Sequence, residues 1–323
     1  MRALFGILLA CLAPVLGASS ALAQDSWPSR PVKIIVPFPA GGSTDIIARE
    51  VAQGLTAKFG QQFLVDNRPG AGGTVGTAAV AKSPGDGYTF LVTASHHTIV
   101  PSLYPQITYD PLKDLRGVSL LVTVPVVVVA HPSVPIKTVK DLIAYDKSHP
   151  GKLNYGSSGA GGVNHLSAEL FNYLANTRLT HIAYKGTAPA MQDLIAGHVQ
   201  IMFDAILTSL PHIRSGAIKP IALTGTRPSP LFPGLPTVAD SGLPGYETSA
   251  WVAMFAPAGT PPEIITQVSD EARRVLSQPA FKERQQSQGV EIAASTPQEL
   301  DDVVKAEIPK WSTLIKKVGV TAE

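Results

Sequence analysis

The pattern that most restricts this chain is a unit that occurs near its start and again after residue 150. A short apolar run leads through a glycine-rich turn into a segment with helical spacing. Residues 32–36, VKIIV, run through PFPAGGSTD (37–45) into a helix that carries Ile47, Val51, Leu55 and Phe59 on one face and stops at Gly60. Residues 153–157, LNYGS, run through SGAGGVN into HLSAELFNYLA (165–175). Strands that are followed by helices in this way return to a parallel sheet through crossovers, which commits the chain to an α/β architecture.

Other segments extend the pattern. FLVDN (63–67) precedes a helix of small residues over 74–81, and YTFLVTA (88–94) is a strand ending in a loop, Ser95-His96-His97-Thr98. VSLLVTVPVVVVA (118–130) is broken by Pro125 and rich in valine, and reads as a pair of buried strands and not a membrane helix. A second α/β set follows, opened by a helix capped by Thr138, and the proline-rich stretch 227–247 is the return route. WVAMFAP (251–257) is a last strand, followed by amphipathic helices near 261–278 and 297–317. If these pack on the first sheet, residues 24–125 and 247–323 form one domain and 126–246 the other. Two crossovers then frame a cleft suited to hinge closure.

Residues 1–23 place Arg2 before an apolar stretch and end in Ala21-Leu22-Ala23, which is the form of a secretory signal peptide cleaved before Gln24. A rival reading takes Leu8-Leu9-Ala10-Cys11 as a lipoprotein box, with an unusually short apolar region before it. The expected location is the periplasm, and the exported part has no cysteine, since Cys11 is the only one. Without Arg2 the chain has 25 Lys and Arg against 24 Asp and Glu, and this balance gives no sign of the clustered basic excess that a nucleic-acid partner calls for.

The paired glycines of PFPAGGSTD let backbone approach a ligand, and unpaired N–H groups at a helix start attract an anion. Ser43 or Thr44 is placed to cap that helix, and the plain alternative is a tight turn with an N-cap. Recurrence at SSGAGGVNH favours two facing anion sites holding a small acid. A bulky residue at Gly41 or Gly161 is then expected to abolish binding and spare the fold. Neither loop has the Lys-Ser/Thr of a Walker motif, and in GAGGTVG (70–76) the third glycine comes one residue late for a dinucleotide fingerprint, so small residues there serve close packing. Ser157 and Ser158 lie outside a nucleophile elbow, and the eight histidines show no metal-binding spacing, so no enzyme activity, cofactor or metal is expected. His96 and His97 should point to different sides. His165 either donates to an anion or supports the helix cap. Lys185 and Asp204, at strand ends on the cleft side, are either ligand contacts or members of rim salt bridges.

In order along the chain, WPSRPVKIIVPFPAGGSTDIIAR, VDNRPGAGGTVGTAAVAKSPGDGYTFL, LNYGSSGAGGVNHLSAELF, YKGTAPAMQDLIAGHVQIMFD and PLFPGLPTVADSGLPGYE resemble the Bug family, the TctC-like solute receptors of tripartite tricarboxylate transporters. The resemblance implies a type II-like periplasmic-binding-protein fold with two α/β domains, a monomer that closes on a small organic acid and presents it to membrane transporter subunits. It places ligand contacts on Phe38, Ala40, Gly41, Gly42 and Asp45, and on Ser157, Ser158, Gly161, Gly162 and His165. Ser95, His96 and Asp204 would add ligand-specific contacts to a dicarboxylate, tricarboxylate, acidic amino acid or aromatic acid. Where family members often carry small hydroxyl or amide residues this chain has His96-His97-Thr98, and Val100 stands where they often have asparagine. A second functional reading is a ligand-sensing partner of a membrane histidine kinase.

Overall fold

A computed structural model describes residues 27–104, 106–225 and 228–321. The expected signal peptide and its cleavage site lie outside the described residues. The first unit forms as its sequence pattern requires. Strand β1 (Val32–Val36) leads into helix α1 (Ser43–Phe59), which ends at Gly60 in the left-handed conformation. Strand β2 (Phe63–Asn67), a 3-10 turn (Ala71–Gly73) and α2 (Thr74–Ala81) follow, then β3 (Thr89–Ala94). The small residues of α2 do pack closely: a Cβ on Gly76 would lie 2.8 Å from the Arg68 carbonyl oxygen and 2.9 Å from Pro37 Cβ.

The structure departs from the sequence pattern in two places. The segment after β3 is not a loop, because α3 (His96–Leu103) begins at once and contains Pro101 in its interior. The proline and the β-branched run around it mask the helical pattern in the sequence. The valine-rich run gives β4 (Leu115–Val124) and β5 (Val126–Ala130), but these do not pair with each other. Pro125 between them has no N–H to continue a ladder, and its carbonyl accepts from Ile206 N at 2.9 Å. The chain changes sheets at that residue.

The second set runs α4 (Val139–Ser148), β6 (Asn154–Ser157), α5 (Val163–Ala175), β7 (Thr180–Ala183), α6 (Thr187–Ala196), β8 (Ile201–Ala205), α7 (Ile206–Arg214) and β9 (Lys219–Leu223). Thr138 caps α4 in a reciprocal box with Asp141, as its position suggests. The chain then returns through β10 (Ala250–Pro257), α8 (Pro262–Ser277), α9 (Pro279–Ser287), β11 (Glu291–Ile292) and α10 (Pro297–Val318). Helix α9 has no counterpart in the sequence pattern; Pro279 restarts the helix after the extended Gln278.

The first sheet has the order β11-β4-β10-β3-β1-β2 and the second β7-β6-β8-β5-β9. Each contains a parallel trio, β2-β1-β3 and β7-β6-β8, extended by antiparallel strands, so neither is the mostly parallel sheet expected. Alternate strand residues divide between two cores. Ile34 and Val36 face one core with Ile47 and Val51, while Ile35 joins Leu91, Trp251 and Phe255 on the other face. Val126 and Val128 likewise separate from Val127 and Val129 in the second sheet.

Helix α10 belongs to both lobes. Leu300 and Val304 lie in the core on the first sheet, whereas Trp311 and Ile315 join Ile99 and Leu103 of α3 in the core of the second. Among the described residues no helix is long and apolar enough to cross a membrane.

Candidate ligand-binding site

The carboxyl ends of β1, β2 and β3 emerge at one edge of the first sheet, and those of β6, β7 and β8 at one edge of the second. Ligands of α/β proteins sit outside such edges because the following helices present their N-termini there. The two glycine loops are built alike. Gly41 and Gly161 both have left-handed backbone, φ +83° and +73°, and Gly42 and Gly162 are the N-caps of α1 and α5. Ser43 and Thr44 do not cap α1, since they already lie inside its first turn and no side chain bonds to the cap.

The N–H before each cap is taken instead by the side chain three residues into the helix. Gly41 N donates to Asp45 Oδ2 at 2.9 Å, and Gly161 N donates to His165 Nδ1 at 2.9 Å. The loop is thereby clasped to its helix, while the first-turn N–H groups carry no side-chain partner. Each such helix end favours an anion by roughly 0.3–1 kcal/mol.

The clasps differ in charge. Asp45 is buried, which opposes its ionisation, yet hydrogen bonds from Arg49, Gly41 and Asn67 outweigh burial and hold its carboxyl below the ordinary value. Arg49 lies 3.0 Å from Oδ1 and compensates the charge, and Asn67 ties Asp45 to the Phe38 carbonyl. In the other loop the acceptor is an imidazole that burial, then neighbouring His181, holds down at about 3. Since Nδ1 accepts from Gly161, the proton of neutral His165 is on Nε2. His165 stacks on His181 at 3.8 Å, and His181 Nε2 lies 2.6 Å from Ser157 Oγ.

Buried His96, His97 and His165 set a pH dependence. Free imidazole titrates near ~6.5, so from there down to the depressed folded values the unfolded chain binds more protons. Stability is complete above that point and declines as pH falls from it toward about 4, the value to which burial holds His96, and then toward about 3 for His165. His165→Asn keeps an acceptor for Gly161 and removes one titrating group, so its melting temperature is expected to fall less steeply on acidification. His165→Leu should lose about 1–3 kcal/mol at neutral pH through the orphaned N–H. Parallel melting curves for Asn and parent across that window would contradict the clasp.

The third contributor is the start of α3. Ser95 is its N-cap, fully buried, and its Oγ has no hydrogen-bond partner; His96 Nδ1 is also buried without one. The His96 ring lies 5.1 Å from that of Phe38, and a Cβ on Gly162 would meet His96 Nε2 at 2.7 Å. His96 therefore touches both glycine loops, whereas His97 packs away on Phe255 at 4.6 Å. Leu103 at the end of α3 abuts Gly161, and Pro39 abuts Gly186. Leu103 also lines an apolar recess of about 480 Å³ together with Val75, Tyr104 and Ile107.

Among the sequence candidates, Phe38, Gly41, Gly42, Ser95, His96, Ser158, Gly161 and Gly162 are brought together, with Ala40 exposed at the rim. Asp45, His165 and Ser157 are committed to loop structure, Ser157 also bonding Gly159 O. Asp204 has both oxygens engaged, Oδ1 by Asn164 and Oδ2 by Thr208 and Ser209, and burial pushes its pKa up. It fastens α5 to the start of α7. Among the described residues no group of side chains could hold a metal.

Residues 47–320 match the tripartite tricarboxylate transporter family receptors, TctC. The chain belongs to this family. BugT of Bordetella pertussis is 37% identical over 321 residues, covering 99% of this chain and 97% of that protein. The R. palustris protein Rpa4515, solved with adipate, is 37% identical with a TM-score of 0.88, covering 92% of this chain and all of that one. MatC from Rhodopseudomonas palustris, solved with bound malate, is 33% identical with a TM-score of 0.84, over 90% of this chain and 100% of its own. TctC proteins are solute receptors and not enzymes, and their relatives of known structure are periplasmic binding proteins with this two-lobed fold. The matched region starts after the first glycine loop and includes the second.

Proposed function

We propose that this TctC protein is an exported receptor that closes on a small organic carboxylate and hands it to the membrane subunits of a tripartite tricarboxylate transporter. The observation that carries this reading is the matched pair of clasped glycine loops, meeting at His96 with their helix starts free of side-chain caps. One loop would hold the acid through N–H groups of residues 41–44 and the other through those of 161–164, with Ser95 and His96 reading the rest of the molecule. Residues 24–125 with 247–323 and residues 126–246 would be the bodies that close. Relatives solved with adipate and with malate support a carboxylate, and the leader-like residues 1–23 support export.

Melting the mature protein with a panel of diacids, triacids, acidic amino acids and aromatic acids tests it. A ligand at a hundredfold its Kd adds about 2.7 kcal/mol, a rise of roughly 5 °C in a chain this size. Uptake of the same acid should disappear on deletion of the receptor or the membrane subunits. A panel without any stabilising acid would sink the proposal.

A further inference from the structure

The two sheets differ in how the cations around them are matched. Beside the first, Arg30, Arg49, Arg68 and Lys113 each form an ion pair with a carboxylate. Among the described residues of 126–246 no lysine or arginine does so. Three of these unpaired cations gather at one end of the second sheet.

Strands β6 and β7 run parallel with Asn154 opposite Thr180 at their starts, so Lys152 and Arg178, each two residues earlier, stand at the pole away from the glycine loops. Thr180 N donates to Leu153 O at 2.9 Å. Arg178 N donates to Asp146 Oδ2 at 2.8 Å, which brings the end of α4 and its exposed Lys147 to the same place. Lys152 and Arg178 are exposed as well. The acids nearby are engaged inside the lobe: Asp146 is buried on Arg178 N, and Glu169 accepts from Tyr155 Oη and Asn172 Nδ2. The outer face of this pole is basic.

Apolar surface accompanies the charge. Helix α5 ends here and leaves Tyr173 and Leu174, in its last turn, 51% and 37% exposed. The turn that follows is held by the Asn172 side chain, which accepts from Leu179 N and Thr177 Oγ1, both at 3.0 Å, and donates to Leu179 O at 3.1 Å. Tyrosine and leucine are thus presented next to Arg178 on a fixed helix end.

We propose that this pole binds the surface of an anionic phospholipid bilayer, with Lys147, Lys152 and Arg178 on the headgroups and Tyr173 and Leu174 at the interface below them. An acidic protein face would match the cations alone. Two apolar side chains standing free among basic ones fit the boundary between headgroups and acyl chains, where a tyrosine keeps its ring in the apolar layer and its hydroxyl in the wet one. Because the glycine loops lie at the other end of the sheet, a receptor held this way keeps its cleft open to solvent.

Flotation of the mature protein with vesicles of phosphatidylglycerol and phosphatidylcholine in equal parts, beside vesicles of phosphatidylcholine alone, tests this at low and high salt. The parent should bind the mixed vesicles, ignore the neutral ones and come off as salt rises. Each basic residue at such a surface contributes roughly fivefold, so Lys147→Gln, Lys152→Gln and Arg178→Gln together should weaken binding about a hundredfold. Tyr173→Ser with Leu174→Ser should weaken it about tenfold. Neutralising exposed Lys33, Lys58 and Lys282 around the first sheet removes the same charge and should change binding less than about twofold. All five pole residues are exposed, so their variants should melt with the parent. No binding to the mixed vesicles, equal binding to neutral ones, or equal binding by the triple Gln variant overturns the proposal. Absent vesicle binding, with cross-linking to the membrane subunits by the parent and not by the triple variant, would assign the pole to a protein and overturn the lipid.

Discussion

Gly161→Val is expected to give a folded protein that no acid stabilises, even acids that raise the melting temperature of the parent by several degrees. Two effects act on one atom. The backbone at Gly161 has φ +73°, where a β-branched residue is strained, and a Cβ there would lie 2.1 Å from Leu103 Cδ1 on α3. Alanine is a milder test, because the δ-methyl of Leu103 is the end of a flexible chain with the apolar recess beside it. Valine has no such escape, and the loop must withdraw or α3 must move. Gly41→Ala is different: nothing lies within 4 Å of its Cβ position, so only the left-handed strain of about 1–2 kcal/mol remains. Calorimetry with the best acid should therefore show loss at Gly161 and partial retention at Gly41. The sequence treats bulky replacement at either position alike, whereas a single Cβ distinguishes the two. Undiminished binding by Gly161→Val would show that the lobes do not close on this loop.

That contrast marks where the sequence stops being informative. Paired glycines between an apolar run and a helical pattern are local signals, so both loops, their helices and the stop at Gly60 were legible. What each loop faces is not local. His96 lies 66 positions from Gly162, and the helix that carries it is masked by Pro101. For Asp45, His165 and Asp204 the sequence left ligand contact and structural support both open. A polar residue at the start of a helix or the end of a strand reads the same whether it meets a ligand or a backbone N–H. The missing information was the partner: Gly41 for Asp45, Gly161 for His165, and the trio Asn164, Thr208 and Ser209 for Asp204. Partition of β4 and β5 between sheets was visible only as Pro125, a residue that breaks a ladder without saying where the chain goes next.

The largest stability loss is expected at a residue no local pattern marks. Glu307 Oε2 on α10 accepts from Thr98 Oγ1 at 2.8 Å, from Trp251 Nε1 at 3.0 Å and, more weakly, from Trp311 Nε1 at 3.3 Å. Thr98 belongs to α3, Trp251 to the strand returning to the first sheet, and Trp311 to the core on the second, so one oxygen joins three parts of the two-lobed structure. Glu307→Leu leaves the two indole N–H groups of buried Trp251 and Trp311 without their acceptor, while Thr98 Oγ1 still reaches Ser95 O at 2.9 Å. With about 1–3 kcal/mol for each buried group left unsatisfied, the loss should be several kcal/mol and the melting temperature should fall by roughly 10 °C. Glu307→Gln keeps an acceptor oxygen and should lose less than half as much. Both variants also loosen α3, which carries Ser95, His96 and Leu103, so the surviving folded protein should bind its acid more weakly, with Gln again the milder. Denaturant titration of the three proteins decides the matter, because a Glu307→Leu midpoint equal to that of the parent would mean that water replaces the carboxylate and that α3 is held by apolar packing alone.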